Sequence, residues 1–276
     1  MKKVFSLLVA VALAFGLQAQ DKVYVHSKGV AYEFNVDEIE AIDFVQGSDV
    51  KGVAQPKWVS QMEFVDLGLS VQWATCNLGA ESPEEFGFYY GWGMTTPYSE
   101  GEVSWENYFK KLGGTGTDAA DCGTEADPLK EYLADGSLQD ETIATTAFDA
   151  ATAANGQWRL PTLGELYELV NDCGNKFYNG TQSEFGGAVG YKLYNKEDES
   201  KFIFIPTAGV LTDEGLVRGK GEAVIGLSYW SADCYSDNEK AWSIDMEIDE
   251  EYMLLRYLGR TIRPVKGPIN RTPIME

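Results

Sequence analysis

The spacing of apolar residues along this chain changes repeatedly, and the changes divide it. Residues 4 to 17, VFSLLVAVALAFGL, are almost continuously apolar. Val23 and Val25 then alternate with Tyr24 and His26, Ser27-Lys28-Gly29 offers a turn, and Val30 to Phe34 makes a second alternating run. That pattern predicts a hairpin. Asn35 can cap a short helical turn with Glu38 at its third position. Residues 63 to 79, EFVDLGLSVQWATCNLG, read as two short strands around Gly68. In ESPEEFGF, Ser82 as N-cap, Pro83 at the first helical position and Glu85 at the third predict a brief helix that Gly87 stops.

The next stretch, FGFYYGWG at 86 to 93, is dense in rings. Strand alternation puts Phe86, Phe88 and Tyr90 on one side and Tyr89 on the other, so most of these rings are expected in the core. Trp92, at the strand end, is expected at the surface. Residues 113 to 156 are small and polar, with a modest helix expected in TTAFDAATAA. A structureless stretch of that length is often functional.

WRLPTLGELYELVNDCG carries the strongest helix signal. Thr162 and Glu165 form a second capping box, Leu163, Leu166, Leu169 and Val170 make a stripe, and Gly174 is the expected end. KFIFIPTAG reads as a buried strand, and residues 241 to 265 as a long hairpin. In its first arm Trp242, Ile244, Met246 and Ile248 face one way, with Ser243, Asp245, Glu247 and Asp249 on a solvated face. Trp158, Leu160, Leu166, Leu169, Phe204, Trp242, Ile244 and Ile262 are expected in one core.

Composition then sets the compartment. Lys2 and Lys3 precede the first apolar run, which ends in Leu17-Gln18-Ala19. This order predicts a secretory signal peptide over residues 1–19 rather than a membrane span, which needs about 20 apolar residues. No cysteine stands directly after the cleavage point, where Gln20 follows Ala19, and no second run is long enough to span. The expected location is exported: periplasmic, outer surface or extracellular. The net charge of −21 makes nucleic acid and anionic membranes poor partners.

The candidate chemistry is sparse. His26 is the only histidine and lies in the N-terminal module, which argues against histidine metal centres and histidine-based triads. With 43 Asp and Glu residues, a carboxylate pair of glycosidase type carries almost no specificity. Asp233, Asp237 and Asn238 could give calcium hard oxygen ligands, although a solvated polar loop explains them as well and is favoured. Cys76, Cys122, Cys173 and Cys234 are even in number, lack CxxC spacing and permit disulfides in an exported chain. Trp92, Trp105, Trp230 and Tyr235 border loops and are the candidate ligand-binding rings.

The ordered segments VDLGLSVQWATCNLGAESPEEFGFYYGWG, WRLPTLGELYEL, IFIPTAG, YWSAD and GRTIRPV, spread over residues 64 to 265, resemble the Fibrobacter succinogenes major paralogous domain. That family is abundant in exported proteins of Bacteroidetes-type bacteria, and residues 23–44 look like a leader module that precedes such domains. The family is similar to C-type lectin-like and formylglycine-generating-enzyme-like folds. The resemblance therefore implies an α+β, C-type lectin-like domain with two helices and twisted antiparallel sheets, preceded by a small β-hairpin/short-helix module.

The expected organisation is a signal peptide 1–19, leader module 20–46, linker 47–60, domain 61–266 and tail 267–276. No catalytic residues come with the family, and nothing here matches the cysteine pair of the formylglycine-generating enzymes. The sugar-binding calcium loop of C-type lectins is also missing. Within the family motifs, Cys76 is expected to pair with Cys173, leaving Cys122 with Cys234. The expected function is noncatalytic recognition or adhesion, without a cofactor unless calcium binds. Its partner would be a glycan or surface protein met by loops 94–155 and 232–240. A structural component of the bacterial surface and a carbohydrate-active enzyme are the alternatives.

Overall fold

A computed structural model of the chain describes residues 22–27, 30–35, 56–133, 142–217, 228–235, 237–245 and 250–270. The expected signal peptide, the helical turn after Asn35, most of the linker and the acids Glu247 and Asp249 lie outside the described residues. The chain divides into two units, Met1–Val53 and Ala54–Glu276. In the first, β1 (Lys22–Ser27) and β2 (Val30–Asn35) form the expected antiparallel hairpin, with Ser27 opposite Val30.

The second unit is mixed α+β, with several small antiparallel sheets and two substantial helices. A single helical turn, α1 (Lys57–Ser60), opens it inside the expected linker. Val59 is buried there, and Trp58 meets Phe88 edge-on at 5.9 Å. β3 (Phe64–Val65) and β4 (Gln72–Ala74) follow, paired across a turn in which Gly68 takes a left-handed φ of 80°.

The expected helix after Ser82 does not form. Glu85 N–H reaches the Ser82 carbonyl at 3.2 Å, but the Glu85 carboxylate accepts from Glu81 N–H at 2.8 Å instead of closing a box on Ser82. A turn results. The first substantial helix is instead α2 (Trp105–Leu112), capped by the Ser104 hydroxyl on Asn107 N–H and ended by Gly113 in the left-handed region. The 113–156 stretch holds 3₁₀ turns at Ala119–Asp121 and Lys130–Tyr132, then α3 (Ala150–Ala154) capped by Asp149.

The second substantial helix, α4 (Leu163–Asp172), starts on the Thr162–Glu165 capping box read from the sequence. It ends differently. Cys173 is extended, and Gly174 already begins β5 (Gly174–Asn179). A β-carbon on Gly174 would come within 2.3 Å of the Tyr194 ring, so this glycine admits a neighbouring side chain rather than a left-handed turn.

β5, β6 (Val189–Tyr194) and β7 (Phe202–Pro206) form one sheet in that order. β8 (Val210–Thr212) and β9 (Gly215–Val217) make a small hairpin. β10 (Tyr229–Cys234), β11 (Lys240–Asp245) and β12 (Glu250–Leu255) form a three-stranded sheet, in which β11 and β12 make the first part of the expected 241–265 hairpin, while residues 256–261 leave it in turns and isolated bridges. β13 (Val265–Lys266) returns to pair with β4.

Apolar burial forms two clusters rather than the expected one. Trp158, Leu160 and Ile262 join Tyr90, Trp92, Tyr108, Phe109 and Trp230 in the larger. Leu166, Leu169 and Ile244 join Trp73, Leu193, Ile203 and Ile205 in the smaller, between α4 and the sheets. Phe204 is buried apart, stacked on Phe185 at 4.1 Å. Trp242 is only half-buried, against Tyr235. Ser243, expected on a wet face, is fully buried, because β11 is covered on both sides: Ala241 packs in the larger cluster and Ile244 in the smaller. Among the described residues, no helix is long and apolar enough to cross a membrane.

Candidate recognition surface

The segments expected to meet a partner, 94–155 and 232–240, are brought together by backbone and side-chain bonds. Ile143 N–H donates to the Ala232 carbonyl at 2.9 Å, and Thr142 bridges to Asp233. Arg256 N–H donates to the Glu239 carbonyl at 2.9 Å, which ties the 237–239 turn to the end of β12. The Arg256 guanidinium then reaches Asp127 at 2.7 Å, with both side chains fully buried.

That ion pair is satisfied around the carboxylate. Asp127 also accepts from Gly123 N–H at 3.0 Å and Leu129 N–H at 2.9 Å. The guanidinium carbon lies 5.6 Å from the Tyr108 ring centre and 6.0 Å from that of Trp92. Pairing, backbone donors and ring faces together make a buried charge tolerable.

A second carboxylate, Asp149, organises the other half of the loop. It accepts from the N–H groups of Thr145, Ala151, Thr152 and Leu160 and from the Thr152 hydroxyl. Burial holds its carboxyl above the usual range, while those donors pull the other way. Thr145, at φ 65°, is one of two described non-glycine residues in the left-handed region. The loop is therefore built by side-chain acceptors for backbone N–H groups rather than by long regular elements.

The four candidate rings separate into two pairs. Trp92 and Trp230 are fully buried, which corrects the expectation that they face a ligand. Trp92 sits in the larger core because residues 90–92 run beside 256–260: Tyr90 and Arg260 exchange backbone bonds, and Trp92 N–H donates to the Arg256 carbonyl. Trp105 and Tyr235 are half-buried, Trp105 beside Tyr257 and Tyr235 against Trp242, with ring centres 4.7 Å apart in each pair. Phe88, expected inside, is instead exposed, resting over Gly79.

The candidate calcium ligands do not converge on one ion. Asp233 accepts from Leu163 N–H at 2.6 Å, at the start of α4. Asp237 accepts from Glu239 N–H and pairs with Lys240 at 3.0 Å, contacts that hold its carboxyl below the usual range. Asn238 packs over Gly123. Among the described residues no group of three or more His, Cys, Asp or Glu side chains could hold a metal ion. No disulfide joins the four cysteines, so neither expected pairing is present. Cys76, Cys173 and Cys234 are buried, and Cys122 is half-buried.

Asp127, Arg256 and Tyr257 were not legible as parts of this surface. The available signal was arginine recurring at 256, 260 and 263 within an apolar run, since a buried arginine requires a partner from elsewhere. Comparison with protein families, characterised proteins and solved structures returned no match.

Proposed function

We propose that this is an exported, noncatalytic recognition or adhesion protein whose main domain is of C-type lectin-like type. Its partner is a glycan or a surface protein, engaged through loops 94–155 and 232–240. One observation carries the reading. The two loops, far apart in sequence, are joined by the Ile143–Ala232, Arg256–Glu239 and Arg256–Asp127 bonds. They carry half-buried Trp105 and Tyr235. Rings held in place need little ordering on binding, so their contact area is not offset by lost side-chain freedom.

Binding is tested by glycan array and by pull-down of envelope proteins with the mature chain. Tyr235→Ala should weaken whichever partner is retained, by roughly 1–3 kcal/mol if this ring is a recognition contact. A folded variant with unchanged binding, or a wild-type chain that retains nothing, counts against the reading. Export is tested separately: mass spectrometry of the periplasmic or secreted protein should find Gln20 as the first residue. An intact Met1 form confined to the cytoplasm would remove that part of the proposal.

A further inference from the structure

Three parts of the second unit meet at an aromatic corner. Trp105 opens α2, and its ring stands 4.7 Å from Tyr257 while stacking on Phe109 at 5.8 Å. The Tyr257 carbonyl is fixed from behind by the Tyr98 hydroxyl, which donates to it at 2.7 Å. The β8–β9 hairpin lies alongside, because Leu211 and Gly259 exchange two backbone hydrogen bonds of 2.8 Å. Its turn carries Asp213, which is exposed. Burial, and then the charge of Asp213, push the Tyr257 hydroxyl above its ordinary pKa. Neither the Trp105 indole N–H nor the Tyr257 hydroxyl has a hydrogen-bond partner among the described residues.

We propose that Trp105, Tyr257 and Asp213 form a subsite for a neutral hexose unit of a glycan, bound without calcium. This rests on the recognition reading above and gives it a ligand class. A pyranose ring presents a C–H face to aromatic carbon and a rim of hydroxyls that need both donors and acceptors. The corner offers all three: the exposed parts of two half-buried rings, an indole donor and a phenol, and a carboxylate that accepts only. The charge argues for a neutral sugar. Lys111, on the same helix, is already held by Glu102 at 3.0 Å and donates to the Pro97 carbonyl. Asp213 and Glu214, meanwhile, would repel a sialate or uronate.

The test is calorimetric titration of the mature protein with cellohexaose, mannohexaose and a β-1,4-linked galactohexaose, and with a sialylated oligosaccharide as the anionic control. Each is run with calcium and with a chelator. At least one neutral hexasaccharide should bind, equally in both buffers, and the sialylated probe should not. Trp105→Phe, Tyr257→Phe and Asp213→Asn each preserve most of the packing, and each should weaken binding about tenfold, the scale of one good contact. Circular dichroism checks that the variants are folded.

A neutral probe that binds these variants as it binds wild type overturns the subsite while the recognition reading stands. Binding abolished by the chelator overturns the calcium-free claim. Capture of an envelope protein with no glycan bound overturns the ligand class alone. A chain that retains neither glycan nor protein removes this inference together with the reading beneath it.

Discussion

Trp92 and Trp230 clasp each other's segments: the Trp92 indole donates to the Ser231 carbonyl at 3.0 Å, and the Trp230 indole donates to the Tyr90 carbonyl at 2.7 Å. Both side chains are fully buried. The pair joins the 86–93 stretch to β10 at the centre of the larger core.

Trp92→Ala or Trp230→Ala should therefore lower stability rather than selectively weaken a partner. Truncating a buried Trp costs about 3–5 kcal/mol. The carbonyl left without its donor adds to that loss. Urea unfolding with a parallel binding assay separates the effects. Wild-type stability in either variant would place that ring outside the core.

The Asp127–Arg256 pair makes a second prediction. Asp127→Ala leaves a buried guanidinium without its counter-charge, which costs about 3–5 kcal/mol. It also releases Gly123 and Leu129 N–H, so the 113–133 loop should become the first site of limited proteolysis. If the cleavage pattern is unchanged and the cost is below about 1 kcal/mol, this ion pair does not pin the loop.

What the sequence disclosed was what is decided locally. The Thr162–Glu165 box, the β11–β12 hairpin and the buried β7 run each depend on a few neighbouring residues, and each is present. The same local rule failed at Ser82, where the Glu85 carboxylate found the Glu81 N–H instead. It also missed α2, although Ser104 and Gly113 bracket it. Alternation failed at β11, which is buried on both faces, where it assigned Ser243 to solvent. It also gave no role to Arg256 or Arg263, which lie outside the strands. Their partners are the Asp127 carboxylate and the Ala74 and Phe204 carbonyls, all distant in sequence. For the candidate site, composition pointed to the two loops, but which rings remain accessible depends on tertiary packing that no local pattern reports.

The expected tail supplies a third prediction. Arg159 donates to the Gly267 carbonyl at 3.1 Å and to the Pro268 carbonyl at 2.7 Å, while forming a two-pronged pair with Glu165 at 2.7 and 2.6 Å. Asn270 N–H donates to the same Glu165 carboxylate at 2.9 Å. Residues 267–270 thus belong to the domain rather than to a tail beyond it. Ending the chain at Lys266 strips partners from a buried arginine and a buried glutamate, each loss worth about 1–3 kcal/mol. A chain ending at Asn270 keeps them all and should unfold at nearly the full-length midpoint. Equal stability of the two truncations would show that these contacts contribute nothing.

The cysteines set a limit at alkaline pH. Burial raises the Cys173 thiol to about 11, with Lys196 opposing and Asp172 adding to the shift. Burial likewise raises Cys76, against the pull of Arg263. In this range the folded chain holds protons that the unfolded chain has released, so stability falls as pH rises. The Cys173 contribution is complete below an unfolded thiol value of about 9 and is lost as pH passes about 11. Tyr90, Tyr98 and Tyr108 are raised by burial too and steepen the fall at its upper end. Comparing urea midpoints of wild type and Cys173→Ala across this window isolates the thiol, since the tyrosines act equally in both. The wild-type midpoint should fall more steeply; parallel curves would mean that Cys173 titrates as it does in the unfolded chain. At about pH 8 a thiol reagent should label half-buried Cys122 first and reach Cys76 and Cys173 only on unfolding, because the buried thiols are both inaccessible and protonated. Peptide mapping without reduction completes the test: a Cys76–Cys173 or Cys122–Cys234 bridge in the exported protein would replace the thiols on which this prediction depends.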